Sequence, residues 1–404
     1  MIRIRDTRYP STASLLSDAI RIAEYYGFVP LEELPRQPSQ ASDGTRFKKP
    51  PPTSEIEEQL NFARKDERGL PAIARRALLS ARRVGEALFA WRTVHSQSAI
   101  PSISLELHVF GHPSTMAEAL LIVVSNAIAE HAGITNRSLW VNDIGSAESS
   151  GRYVRDVAQY LRKHIESISS TLRPRAIVDP LGTLVQLIDR GHPAVVRAPQ
   201  ATEYLTEDER RRFWEFLEYL EVFGLPYELS GLVLGSRDVW SHALYEIATT
   251  DTETQARLPV AFGGRYDPVM SRFAKKPESA AMIGITIEIR GGIRPKKAAR
   301  VTPGIFFAHL GMEARRRALA VIENLRRAEI PVHQSLTYER LGEQMVAARE
   351  LGVPYILIMG HKEAVENAIL VREVATNSQE SVPLDDLSNY LKRRRMGARP
   401  EVQA

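Results

Sequence analysis

Apolar and polar positions along this chain follow two rhythms, one helical and one strand-like. Near the N-terminus Leu15, Ala19, Ile22 and Ala23 fall on one helical face, which predicts an amphipathic helix over residues 11–26. Gly27 closes it, and Phe28-Val-Pro-Leu31 reads as the start of a strand. Residues 36–56 are rich in Pro, Ser and charge and read as a loop or disordered segment. Residues 57–92 look mostly helical, with Ile73, Ala77, Leu78, Ala81 and Val84 on one face and Arg75, Arg76, Arg82 and Arg83 on the other. That basic face reads either as solvated charge or as an RNA or phosphate contact.

Residues 88–94 and 102–109 read as strands. In the second, Glu106 and His108 share a face, either as a ligand-holding pair or as a satisfied half-buried one. After the turn Gly111-His-Pro113, Ser114 or Thr115 caps a helix reaching about His131, and residues 138–145 give a strand and a turn. Residues 147–225 are largely helical, over 151–169, 179–189 and 206–223, the last opened by the acidic cap Thr206-Glu-Asp-Glu209. Alternation returns, strand-like, over 283–289. Beyond a basic Gly/Pro linker at 291–303, strands at 305–310, 332–335, 355–359 and 368–374 interleave with helices at 311–329, 341–351 and 384–394. That order predicts a mainly parallel sheet flanked by helices.

A chain of 404 residues is too long for one small core, so two domains are expected. Its 44% hydrophobic and 25% charged content is that of a soluble globular protein, and no apolar run is long enough to span a membrane. A cytoplasmic location without membrane partners follows as the expectation. Zero cysteines exclude disulfides, thiol catalysis and cysteine-ligated zinc, and no metal site is read. A net charge of +4 permits nucleic-acid contact without demanding it.

The densest chemistry lies in Ala261-Phe-Gly-Gly-Arg-Tyr-Asp267. Gly263 and Gly264 let the backbone approach a neighbour closely, Arg265 offers a forked cation for a carboxylate or phosphate, and Tyr266 and Asp267 add a phenol and a carboxylate. The alternative is a structural turn with an ion pair.

This string resembles the AGGRYDGL signature of the histidyl-tRNA synthetases, and the similarity runs through most of the chain. In that family the first helix and strand are motif 1, which builds a homodimer. Arg92, in Leu88-Phe-Ala-Trp-Arg-Thr-Val94, matches the motif 2 arginine that grips the α-phosphate and the acyl oxygen, which makes it the candidate catalytic residue. Val94 stands where the family places a glutamate that reads adenine. Glu67, in Arg64-Lys-Asp-Glu67, falls where a glutamate meets the α-amino group of histidine. Over 235–246 the register is held by Asp238 and Tyr245-Glu246, while the family's activating arginine becomes Gly235 and its tyrosine pair becomes Val239-Trp240. At motif 3 an ungapped match puts Arg290 on the family glutamate and Gly291 on its ATP-contacting arginine. Arg237 and Arg290 are the candidate replacement cations.

The resemblance thus implies a histidine-like pocket of Glu67, Asp238, Gly263, Gly264, Arg265 and Tyr266. It implies an α+β class II synthetase-like core over 1–293, an antiparallel sheet flanked by helices, with a helical insertion at about 147–225. A linker at 294–303 leads to an α/β anticodon-binding-like domain over 304–393, which Gly342-Glu-Gln-Met-Val-Ala-Ala348 and Gly352-Val-Pro-Tyr-Ile-Leu-Ile-Met-Gly360 match most specifically. Residues 394–404 form a basic tail, and Lys392-Arg-Arg-Arg395 suits phosphate contacts or plain disorder. The first reading is a paralog that is impaired in aminoacylation and acts by binding tRNA, another RNA, a ligand or a protein. A functional histidine–tRNA ligase using ATP and Mg2+ is the second, with no cofactor certain otherwise. A regulatory subunit of ATP phosphoribosyltransferase is the third.

Overall fold

The computed structural model describes residues 1–34, 69–80, 87–96, 100–251, 257–296, 301–338 and 340–397. The expectations for 36–56, for Glu67, for Ala81 to Val84 and for most of the basic tail lie outside these residues.

The larger sheet has eight strands: β1 Val29–Pro30, β2 Leu88–Ser96, β3 Ser102–Phe110, β4 Arg137–Asp143, β5 Tyr227–Leu229, β6 Ser241–Thr250, β7 Arg257–Arg265 and β8 Ala280–Glu288. Their order is β1-β2-β3-β8-β7-β6-β4-β5. The central pairs are antiparallel, and only the edge strands β1 and β5 pair in parallel.

Strand alternation sorts the two faces. Ile103, Leu105, Leu107 and Val109 turn one way, with Ile283, Ile285 and Ile287 beside them, all buried in one core. That face is covered by α3 (Met116–His131), which is apolar on every side and buried for most of its length. The same core takes in α1 (Thr12–Tyr25), and the short α2 (Leu70–Leu78) packs beyond the other face. Residues Ala90, Phe110, Leu244 and Met282 look to that other face.

The insertion carries α4 (Ala147–Lys163), α5 (Arg173–Val178), α6 (Pro180–Asp189) and α7 (Glu207–Phe223). Thr206 and Glu209 close a capping box at the start of α7, as the acidic cap predicts. The short α8 (Asp267–Ala274) follows β7 directly. After β8 no helix forms over 289–296; the strand-like alternation there is a strand and nothing more.

A second sheet holds β9 (Ile305–His309), β10 (Tyr355–Met359), β11 (Ala368–Glu373) and β12 (Gln379–Pro383), in the order β12-β11-β10-β9. Around it lie α9 (Met312–Arg327), α10 (Leu341–Leu351), α11 (His361–Val365) and α12 (Leu384–Arg393). The expected mainly parallel sheet is corrected to a mixed one: β9 and β10 are parallel, while β10/β11 and β11/β12 are antiparallel. The reason is connection length. Parallel neighbours need a crossover of about a dozen residues, and the links at 360–367 and 374–378 are too short. The expected strand at 332–335 amounts to a single bridge, His333 to Phe306.

The second domain sits against the first through polar contacts. Tyr25 donates its hydroxyl to the Ile330 carbonyl at 2.8 Å and Tyr26 to Glu323 at 2.6 Å, and Arg327 reaches Glu130 at 3.0 Å. From the described residues no helix is long and apolar enough to cross a membrane.

Candidate functional site

Across the sheet, one row of facing residues runs Arg92, Glu106, Gly284, Phe262, Glu246 and Trp140. The adjacent row on the same face runs Ala90, His108, Met282, Gly264 and Leu244. These rows bring the candidate catalytic arginine to the same face as Tyr266.

A chain of polar bonds joins them. Arg92 donates from Nε to Oε2 of Glu106 at 2.6 Å. The same carboxylate oxygen lies 3.3 Å from His108 Nε2, and His108 Nδ1 lies 3.1 Å from the Tyr266 hydroxyl. Glu106, His108 and Tyr266 are all buried. Burial holds the imidazole below its usual pKa, against the pull of Glu106, and so favours the neutral ring. A carboxylate only accepts, so Nε2–H donates to Glu106 and Nδ1 accepts from the phenol. Burial would raise the Glu106 carboxyl, but His108 and Arg92 outweigh it and hold the carboxyl low. Of the two readings of Glu106 and His108, the satisfied pair is the one observed, and it is fully rather than half buried.

Gly69, just before α2, backs this arrangement: a Cβ there would run into the Arg92 guanidinium. Farther along the row, the Arg257 guanidinium lies over the Trp140 ring, 3.3 Å from its centroid, and 2.6 Å from Glu246.

Arg265 corrects its expected role. One residue from Tyr266, it points to the opposite face, beneath α3, and is 1% exposed. It donates to both oxygens of Glu118, at 2.9 and 2.5 Å, and to the carbonyls of His112 and Ser114, each at 3.1 Å. Every guanidinium nitrogen is thus engaged within the protein. Arg212 of α7 joins the same carboxylate at 3.0 Å and takes the Pro113 carbonyl at 2.7 Å. Burial would raise the Glu118 carboxyl, but Arg265 and Arg212 hold it at about 2.

The two glycines also serve packing. At Gly263 a Cβ would strike the neighbouring strand, with Ile283 Cα at 2.7 Å and Tyr245 Cε2 at 2.8 Å. At Gly264 it would meet Leu244 Cδ2 at 2.5 Å and the Ala243 carbonyl at 2.9 Å, with Trp240 at 3.2 Å. The buried Trp240 fills the ground beside Gly264, standing edge-on to Phe262 at 5.6 Å.

The remaining candidates lie elsewhere. Arg237 and Asp238 are exposed on the turn before Trp240, where Arg237 approaches Gly151 of α4. Arg290 is exposed beyond the end of β8, its backbone bonded to Thr12. It is six residues along the strand from Gly284, roughly 20 Å at the usual strand rise. Among the described residues neither Arg237 nor Arg290 bonds to the Arg92–Tyr266 chain. No group of three His, Cys, Asp or Glu that would hold a metal ion occurs among them either.

Sequence reasoning missed Glu118 and Arg212 as partners of this framework, and Arg315, which donates to the Ser114 hydroxyl at 3.2 Å. Their signal was faint: Glu118 sat in an apolar helix, and the two arginines sat in charged helix faces.

Residues 305–394 match the anticodon binding domain family. The chain is 26% identical over 296 residues to histidine–tRNA ligase 1 of Shouchella clausii (strain KSM-K16), covering 72% of this chain and 69% of the relative. It is 27% identical over 295 residues to histidine–tRNA ligase of Symbiobacterium thermophilum, covering 72% and 68%. The solved structure of apo S. aureus histidyl-tRNA synthetase aligns at 18% identity and a TM-score of 0.43, covering 80% of this chain and 81% of that one. The chain is thus similar to histidine–tRNA ligases over most of its length, and its residues 305–394 belong to the anticodon binding domain family.

Proposed function

We propose that this chain binds tRNA through its C-terminal domain and does not carry out ordinary histidine activation. The observation that carries this reading is that Arg92, its Nε tied to Glu106, stands without the family's other arginines. Attack of a carboxylate on ATP is accelerated by positioning and by cations aimed at developing charge. Among the described residues, Arg92 is the family arginine found on the site face, and its Nε is tied to Glu106 at 2.6 Å. Gly235 and Gly291 stand where the family carries its other arginines. Loss of one such stabilising group costs on the order of a hundred- to a thousandfold in rate. Glu67 and Tyr266 remain the proposed ligand-side residues, with ATP and Mg2+ as cofactors only if the ligase reaction survives. A second copy of the chain is the proposed partner across α1 and β1.

The test pairs two assays on the full chain. Titration of tRNA in a filter-binding assay should give saturable binding that weakens with salt, as phosphate contacts do. Histidine-dependent exchange of pyrophosphate into ATP should be absent. Robust exchange would instead establish the divergent ligase, and absence of tRNA binding would remove the RNA half of the reading.

A further inference from the structure

We propose that the imidazole of His108 occupies the space in which a ligand imidazole would lie, so that the pocket is filled from within and does not take free histidine. This rests on the reading of the Arg92–Tyr266 face as the amino-acid site.

The geometry is that of a bound imidazole rather than a spacer. One ring nitrogen is held by a carboxylate and the other by a phenol, at 3.3 and 3.1 Å. The ring lies parallel to Phe110, with centroids 5.7 Å apart and 6° between planes. It meets Tyr266 edge-on at 6.0 Å. Polar recognition and aromatic walls together are what a site built for imidazole requires. The supporting carboxylate is in turn fixed by Arg92. Beside it, Trp240 fills the ground next to Gly264. The row Ala90, His108, Met282, Gly264 and Leu244 is therefore closed by side chains of the chain itself. In the neighbouring row a Cβ at Gly284 would sit in ordinary van der Waals contact, its nearest neighbour Met282 Cε at 3.6 Å.

Calorimetric titration of the full-length protein with L-histidine and, separately, with imidazole tests this. The native protein should show no saturable heat with L-histidine. His108→Ala, checked for folding by near-ultraviolet circular dichroism, should bind L-histidine with at least tenfold gain over the native protein, and adding Tyr266→Phe should reduce that gain. Saturable binding of L-histidine by the native protein overturns the proposal, and needs no variant. Binding of imidazole but not L-histidine by His108→Ala marks a plain cavity and also overturns it. Should His108→Ala not fold, His108→Ser takes its place in the same comparison. The two readings fail separately. Loss of tRNA binding with gained histidine binding removes the RNA function and leaves this inference. Native histidine binding without exchange does the reverse.

Discussion

Arg265 and Arg315 stand in different domains and hold the same turn. Arg265 donates to the carbonyls of His112 and Ser114, while Arg315 of α9 donates to the Ser114 hydroxyl and to His112 Nε2, each at 3.2 Å. Burial, Arg315 and Arg265 together push the His112 imidazole down to about 3, which leaves Nε2 free to accept. The GGRYD arginine thus anchors the joint between the two domains, and Tyr266 beside it anchors the site.

Arg315→Met should loosen that joint. Two buried hydrogen bonds from a charged donor are lost, worth about 1–3 kcal/mol of stability. Amide hydrogen exchange should quicken over 111–115 and at the start of α9. Unchanged exchange at both places would show that Arg315 is not a joint residue.

Glu118→Gln leaves Arg265 and Arg212 buried against a neutral amide. Breaking a buried pair in this way typically costs about 3–5 kcal/mol, measurable by urea denaturation at neutral pH. The pH sign follows from the depressed carboxyl. Glu118 contributes its full stabilisation above the unfolded value near 4.5, and that contribution is lost as pH falls toward about 2.

Asp143 works in the opposite sense. It is fully buried, and burial raises its carboxyl to about 7 even though it accepts the Gly145 amide at 2.6 Å. The unfolded chain releases that proton near pH 4. Between about 4 and 7 the folded state binds the extra proton, so stability falls as pH rises, by ~1.4 kcal/mol per unit at most. Asp143→Asn should flatten this slope in melts taken from pH 5 to 7. An unchanged slope would contradict it.

Two glycines on the site face should respond differently to alanine. At Gly264 the new methyl would meet Leu244 at 2.5 Å and the Ala243 carbonyl at 2.9 Å, which predicts a loss of about 1–3 kcal/mol from overpacking. At Gly284 nothing lies nearer than 3.6 Å, and the change should stay within about 0.5 kcal/mol. Thermal melts of the two variants separate these outcomes.

Much of the fold was legible because its signal is periodic. The apolar positions of α1, the alternation of β3 and β8, and the acidic cap of α7 each dictate their element. β12 was not anticipated, since only Val382 of Gln379–Pro383 is buried and an exposed edge strand leaves little hydrophobic pattern. Sheet direction in the second domain depended on link lengths that the strand boundaries blurred.

In the site, the grouping of Arg92 with Tyr266 could be reached from motif positions. The parting of Arg265 from Tyr266 could not, because a string of motif letters does not show that adjacent strand residues face opposite ways. Nor does a sequence show that an arginine's nitrogens are already taken. Glu118 lies 147 residues from Arg265, and no local pattern links them.

The most direct test of the central claim is histidine-dependent exchange of pyrophosphate into ATP by the purified full-length chain. Exchange indistinguishable from a reaction without histidine is the result predicted from the missing arginines and the filled pocket. Exchange that rises and saturates with L-histidine would contradict both and make this chain a working ligase.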